Sequence, residues 1–229
     1  RGLGQSNGAT FTGTNLVAGG NTVGTGGEGG GIYAGGAGCT GVCPADVTLN
    51  DATVAGNSSG GTGSAIAGDD TDTLRLNNDI VTPNTGTGDS LDGFGTLTVA
   101  YTDGCDAAGV KYPGTGNTCA NPLLVSLTAG AIDVHQTAAS PTRNAGLDSL
   151  VIAGVTEDYE GDARVQEAAV DMGADEFTPL APGLPAAGAP PADATPAWQL
   201  FALLAIAAAI TLEIARRWPI QPLAHPGRR

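Results

Sequence analysis

The sequence predicts an all-β chain, a right-handed parallel β-helix (solenoid), on three observations. A degenerate repeat recurs through residues 1–100. Glycine supplies 37 of 229 residues while aromatics are only 4%. No helical periodicity appears before the last segment, because Gly, Asn, Asp and Thr interrupt every apolar run.

The repeat comes first. VTLNDATVAGN (47–57) aligns with LRLNNDIVTPN (74–84) at an offset of 27, matching Val47 with Leu74, Leu49 with Leu76, Asn50 with Asn77, Val54 with Val81 and Asn57 with Asn84. FTGTNLVAGGN (11–21) is a looser earlier copy, with Asn21 placed 36 residues before Asn57, and the CTGVC insertion accounts for the extra length. LTVAYTD (97–103) keeps the alternation without the asparagines. Between copies, GGGIYAG (29–35) corresponds to GSAIAGD (63–69) and more weakly to DSLDGFG (89–95). A period of about 20–30 residues built from short β-branched strands is the mark of a solenoid. Each unit then makes one coil, with Val47, Leu49, Leu74 and Leu76 stacked inside. Asn57 and Asn84 are expected to form a side-chain amide ladder rather than to bind a ligand.

The remaining segments follow in order. Residues 1–120 read as the coils, interrupted at 104–120 by a cystine-closed loop with Lys111 and Tyr112 at its solvated tip. Residues 121–178, poorer in glycine, read as a C-terminal capping module over the open end of the solenoid. Residues 179–196 form a Pro/Ala linker. AWQLFALLAIAAAITLEIA (197–215) has 19 residues, long enough as a helix to span roughly 28 Å of membrane. Trp198 and Trp218 flank it, and Arg216 and Arg217 open a basic cytoplasmic tail, 216–229. Glu213 lies near the inner end of the span. The chain opens on Arg rather than Met and shows no signal peptide, so it reads as a fragment lacking an N-terminal part.

Four cysteines fall into two local pairs, Cys39 with Cys43 and Cys105 with Cys119, expected as disulfides in an oxidising compartment. Zinc is the rival reading, but C-x2-C spacing and nearby histidines are absent. Before residue 197 there are 22 acidic and five basic residues, a balance of −17, which disfavours nucleic acid as a partner.

The expected chemistry is sparse. Catalysis on a β-helix would need paired carboxylates, or calcium-binding acids with a basic proton abstractor. Asp69, Asp70, Asp72, Asp89 and Asp92 are the candidates, yet at the repeat offset they do not stack on one face, and only Arg75 lies near. His135 and His225 have no partner at metal-ligand or triad spacing and read as structural or solvated. The acidic turn Asp158, Glu160, Asp162 is the one place where calcium would be sought. The simpler expectation there is a solvated turn, or one paired with Arg164. No catalytic, cofactor or metal residue is therefore assigned.

SPTRNAG (140–146), DYEGDARV (158–165) and AVDMGADEF (169–177) together resemble the C-terminal module of bacterial parallel β-helix surface proteins, the choice-of-anchor domain of type Q. Thr142-Arg143-Asn144 and Ala163 depart from that pattern. LPAAG, Leu184, Pro185, Ala186, Ala187 and Gly188, resembles a sortase pentapeptide with Ala187 in the threonine place. The resemblance implies the extracellular face of a bacterial envelope, a membrane or wall anchor, and a sorting protease as one partner. The function expected is a structural or adhesin-like surface protein, not an enzyme, meeting surface glycans or proteins. The alternative is the C-terminal part of a polysaccharide lyase or glycoside hydrolase whose active site lies upstream.

Overall fold

A computed structural model of the chain describes residues 9–35 and 44–179. Over these residues the protein is built from β-strands. Among the described residues the one helical element is a single 3-10 turn, Asp148–Leu150. Among the described residues no helix is long and apolar enough to cross a membrane. The Cys39–Cys43 pair, the 184–188 motif and the 197–215 span lie outside the described residues.

Strands β1 (Thr10–Thr14), β2 (Val17–Gly19) and β3 (Thr22–Thr25) form one pass of the chain, followed by β4 (Ile32–Tyr33). Strands β5 (Asp46–Asn50), β6 (Thr53–Ala55) and β7 (Ser58–Gly60) repeat the pass, and each pairs in parallel with its counterpart. The long strand β8 (Ile66–Asn77) pairs in parallel with β4 through its start and with β5 through its end. Strand β9 (Leu91–Ala100) then pairs in parallel with β8, while bridges at Ile80, Thr85 and Asp103 extend the other two ladders.

The register agrees with the repeat. Val47 lies beside Leu74, Leu49 beside Leu76 and Asn50 beside Asn77. The looser copy also holds, Phe11 pairing with Val47 and Thr14 with Asn50. At the weakest copy Ile66 meets Leu91, so an apolar residue and not Asp92 fills the inward place. A one-residue slip would turn the whole strand inside out, and burial of one face selects the register. Exposure along the first column shows where the interior lies: Phe11 is 47% exposed, Val47 3%, Leu74 0% and Leu97 39%. Asn21, Asn57 and Asn84 form the expected amide ladder, Asn21 Nδ2 donating to Asn57 Oδ1 and Asn57 Nδ2 to Asn84 Oδ1, each at 3.0 Å.

One local device was not anticipated. The residue closing the first strand of each pass is left-handed: Asn15 (φ 51°), Asp51 (54°), Asn78 (58°) and Tyr101 (48°). Asn and Asp tolerate this conformation better than other side-chain-bearing residues, which explains three of the four. The corner that follows is held by Gly20 and Gly56, both at φ 70°.

Two expectations about the ends are corrected. Residues 121–178 do not simply close an end. The antiparallel hairpin β10 (Leu124–Thr128) and β11 (Ala131–Gln136), with the irregular chain after it, runs along the flank across successive passes. A Cβ on Gly20 would sit 2.8 Å from Ile132, and one on Gly56 would sit 3.2 Å from Leu127. Those glycine corners therefore make the seat for the hairpin. Farther along, Asn15 Nδ2 donates to Glu157 O at 2.6 Å, Ala174 N to Thr53 Oγ1 at 2.9 Å, and Leu147 N to Asn78 Oδ1 at 2.8 Å.

The loop 104–120 covers the last pass instead. Its cystine is formed, Cys105 to Cys119 with Cα atoms 5.0 Å apart. Tyr112 is not at a solvated tip: it is buried in the apolar core, and its hydroxyl oxygen accepts the Leu91 N–H at 3.1 Å. Asn117 Nδ2 donates to Val99 O at 3.0 Å and its Oδ1 accepts Thr102 N at 3.2 Å, occupying groups that a further strand would have paired. A phenol ring can bury its body while its hydroxyl meets a backbone donor, which suits it to closing an apolar column. Lys111 stays exposed.

Candidate functional site

The three sequence motifs of the C-terminal module converge through buried polar side chains. In β11 the alternation puts Val134 and Gln136 inside and leaves Asp133 and His135 half-buried on the other face. Gln136 then organises the neighbouring loop. Its backbone N–H donates to Asp175 Oδ2 at 2.9 Å and its Nε2 to Met172 O at 2.9 Å. Its Oε1 accepts from Thr142 Oγ1 at 2.6 Å and Ser140 Oγ at 3.0 Å. Asp175 is thereby held beside β11.

The acidic turn is a folded structural unit. Asp158 Oδ1 accepts the backbone N–H groups of Glu160 (2.9 Å), Gly161 (3.0 Å) and Asp162 (2.9 Å), and its Oδ2 accepts Glu176 N at 3.0 Å. This wraps the turn around Asp158 and leaves Glu160 outside it, where its Oε2 comes 2.6 Å from His135 Nε2. The other imidazole nitrogen, Nδ1, lies 2.5 Å from Asp133 Oδ1. Ligand atoms of His135, Glu160 and Asp175 all lie within 4.8 Å of one another. His135 therefore has partners at hydrogen-bonding distance, contrary to the reading of an isolated histidine. The one trace of this in the sequence was D-V-H, which places Asp133 and His135 on one face of a strand.

Arg164 does not pair with the acidic turn. It is 1% exposed and bonds inward, Nη2 to Gly173 O (2.7 Å), Asp171 O (3.0 Å) and Glu176 Oε1 (3.1 Å), and Nη1 to Ala174 O (3.0 Å). The residues Thr142-Arg143-Asn144 are also structural. Thr142 is buried, Arg143 pairs with Glu167 and stacks 4.3 Å above Phe177, and Asn144 N donates to Asp171 Oδ1 at 2.6 Å.

Around His135 burial works against the charged imidazole, but the bonds to Asp133 and Glu160 outweigh it and raise its pKa to about 9. The imidazole hydrogen bond holds Asp133 below its ordinary range. Burial pushes Asp175 up to about 6 and Glu176 up to about 8, in each case against a stabilising partner. Burial likewise raises Tyr159, with the charges of Glu160 and Asp175 adding to it.

Asp103, at the base of the cystine loop, is pushed by burial up to about 6 although its Oδ1 accepts Ala120 N at 2.8 Å. A carboxyl with a raised folded-state pKa binds more protons folded than unfolded above about pH 4. Stability therefore falls as pH rises through the window from about 4 to about 6 for Asp103. Asp103→Asn should make that slope shallower by on the order of 2 kcal/mol across the window, read from urea unfolding at the two ends.

Several of the carboxylates considered for catalysis make hydrogen bonds that hold the backbone. Asp72 is buried, its Oδ1 accepting Ala45 N at 2.6 Å and its Oδ2 accepting Asp69 N at 2.7 Å. Asp69 accepts from Tyr33 Oη at 3.3 Å, and Asp89 anchors the cystine loop through Ala107 N at 2.7 Å. Asp92 lies in β9 beside Ala67, and Arg75 pairs with Asp46 rather than with this group. An open groove of about 400 Å³ lies between the third ladder and the cystine loop, lined by Ser64, Thr82, Asn84, Thr87, Ser90 and Asp106 among others. Comparison with family models, with curated proteins and with solved structures found no match to this chain.

Proposed function

We propose that this chain is a non-catalytic surface protein of structural or adhesin-like kind. In this reading it is a right-handed parallel β-helix whose 121–178 segment is a choice-of-anchor-like module, held at the extracellular face of a bacterial envelope by segment 197–215. The observation that carries the coil reading is the recurrence of three ladders in one order, all paired in parallel, with register shifts only in the β3–β7 and β8–β9 pairs. The engagement of Asp72 and Asp89 in backbone hydrogen bonds supports a structural rather than a catalytic use of those acids. Surface glycans or proteins are the partners this reading expects, and the hydroxyl-lined groove suits a glycan better than an apolar ligand. The envelope location rests on the apolar 197–215 run, its Arg216-Arg217 border and the −17 balance before it.

Fractionation tests location. Expressed in a bacterial host behind a secretion signal, the chain should stay with the envelope, and a version lacking 197–229 should appear in the medium. Equal retention of the truncated form would show that another part of the protein does the anchoring.

A further inference from the structure

We propose that His135, Glu160 and Asp175 form a binding site for a divalent transition metal of the zinc type. The three residues come from separate pieces of chain: strand β11, the turn built around Asp158, and the loop held by Gln136. Their ligand atoms already lie within 4.8 Å of one another, the spacing of a site needing only small adjustment to close on one ion. A tetrahedral ion with bonds of about 2.0–2.1 Å sets its ligands roughly 3.4 Å apart. His135 Nε2 and Glu160 Oε2, now 2.6 Å apart, would open by under about 1 Å.

Three further features point to a cation. Asp175 is held in place by the Gln136 N–H on its Oδ2, and its Oδ1 accepts no hydrogen bond among the described residues, which leaves that oxygen free to ligate. Asp133 on Nδ1 is the outer carboxylate that orients a metal-binding imidazole and fixes Nε2 as the ligand atom. Asp133, Glu160 and Asp175 also set three carboxylates against one imidazole. Among the described residues the arginines pair elsewhere, with Asp46, Glu167 and Glu176.

The donor set chooses the ion. Calcium takes oxygen ligands, whereas an imidazole with carboxylates suits zinc and its neighbours. On binding, the ion takes the place of the proton between Nε2 and Oε2. That proton leaves to solvent, and Asp133 keeps the Nδ1–H. His135 and Glu160 are half-exposed, so a fourth position faces water. Held this way, the ion would tie β11, the 158–162 turn and the 171–177 loop together.

The test is zinc titration of the full chain without reductant, in competition with a chromophoric chelator and followed by thermal unfolding. One zinc per chain should bind and raise the melting temperature. His135→Gln and Glu160→Gln should each weaken binding at least tenfold, and Asp133→Asn by about 10–100-fold. His225→Gln should leave it unchanged. Glu160 is exposed enough for its variant to fold, and far-UV circular dichroism checks that it does. Absence of saturable zinc binding, binding that survives Glu160→Gln in the folded variant, or binding of calcium in preference to zinc would each overturn the proposal.

Discussion

Arg164→Met is expected to lower the unfolding free energy by about 3–5 kcal/mol, the range for removing one partner of a buried ion pair. The side chain is 1% exposed, and its guanidinium holds three carbonyls, of Asp171, Gly173 and Ala174, together with the Glu176 carboxylate. Asp51 Oδ1 lies 3.9 Å from it on the strand side. Removing the guanidinium takes the partner from the buried Glu176 carboxyl and from three carbonyls, and unties the 171–176 loop from the flank of the ladders. Arg164→Lys should rescue little, because an ammonium cannot reach carbonyls on separate sides as a planar fork does. Adding Glu176→Gln to Arg164→Met should cost less than the sum of the two single losses, since each single variant already breaks the same contact. Urea unfolding followed by circular dichroism, run as a double-mutant cycle, measures the coupling. Strictly additive losses would mean that the pair contributes only through its separate contacts with the backbone.

Asn57→Asp should be comparably damaging at neutral pH, by roughly 3–5 kcal/mol. Asn57 is 1% exposed. Its Nδ2 donates to Ala18 O at 2.9 Å and Asn84 Oδ1 at 3.0 Å, and its Oδ1 accepts from Asn21 N and Nδ2 at 3.0 Å. An aspartate turns the donor into a second acceptor facing two acceptors, with buried charge and no cation in the ladder. Asn57→Ala only deletes the bonds and should lose less, about 1–3 kcal/mol for the groups left unpaired. Acid separates the two variants. Protonation restores one donor to the aspartate, so Asn57→Asp should gain stability on passing from pH 7 to pH 4 relative to Asn57→Ala. If the two respond alike to pH, the position 57 side chain is not a buried rung.

Much of the strand framework was legible because it is periodic. The offset of 27 placed Leu49 against Leu76, and the recurring asparagines marked a ladder. Strand pairing in a repeat needs only that equivalent residues face the same way, and alternation within five residues encodes that. The cystine of 105–119 was legible for a similar reason, since its ends are close in sequence. The left-handed turns at Asn15, Asp51 and Asn78 were visible as residue types, yet the fourth, at Tyr101, carries no such mark.

The sequence by itself determined the all-β class, the parallel register and the apolar columns, because these follow from local alternation multiplied by repetition. Only the tertiary structure decided which element covers what. Tyr112 turned inward because the last apolar column needed a lid, and the hairpin went to the flank because Gly20 and Gly56 leave room there for Ile132 and Leu127. It also decided the partners of the isolated charges. His135 meets Glu160 across 25 residues, and Arg164 reaches Glu176 instead of the nearer Asp158 and Asp162. Those pairings have no period. They depend on where Gln136 and Asp158 pin two irregular loops through backbone hydrogen bonds, and such pinning exists only once the chain has closed on itself.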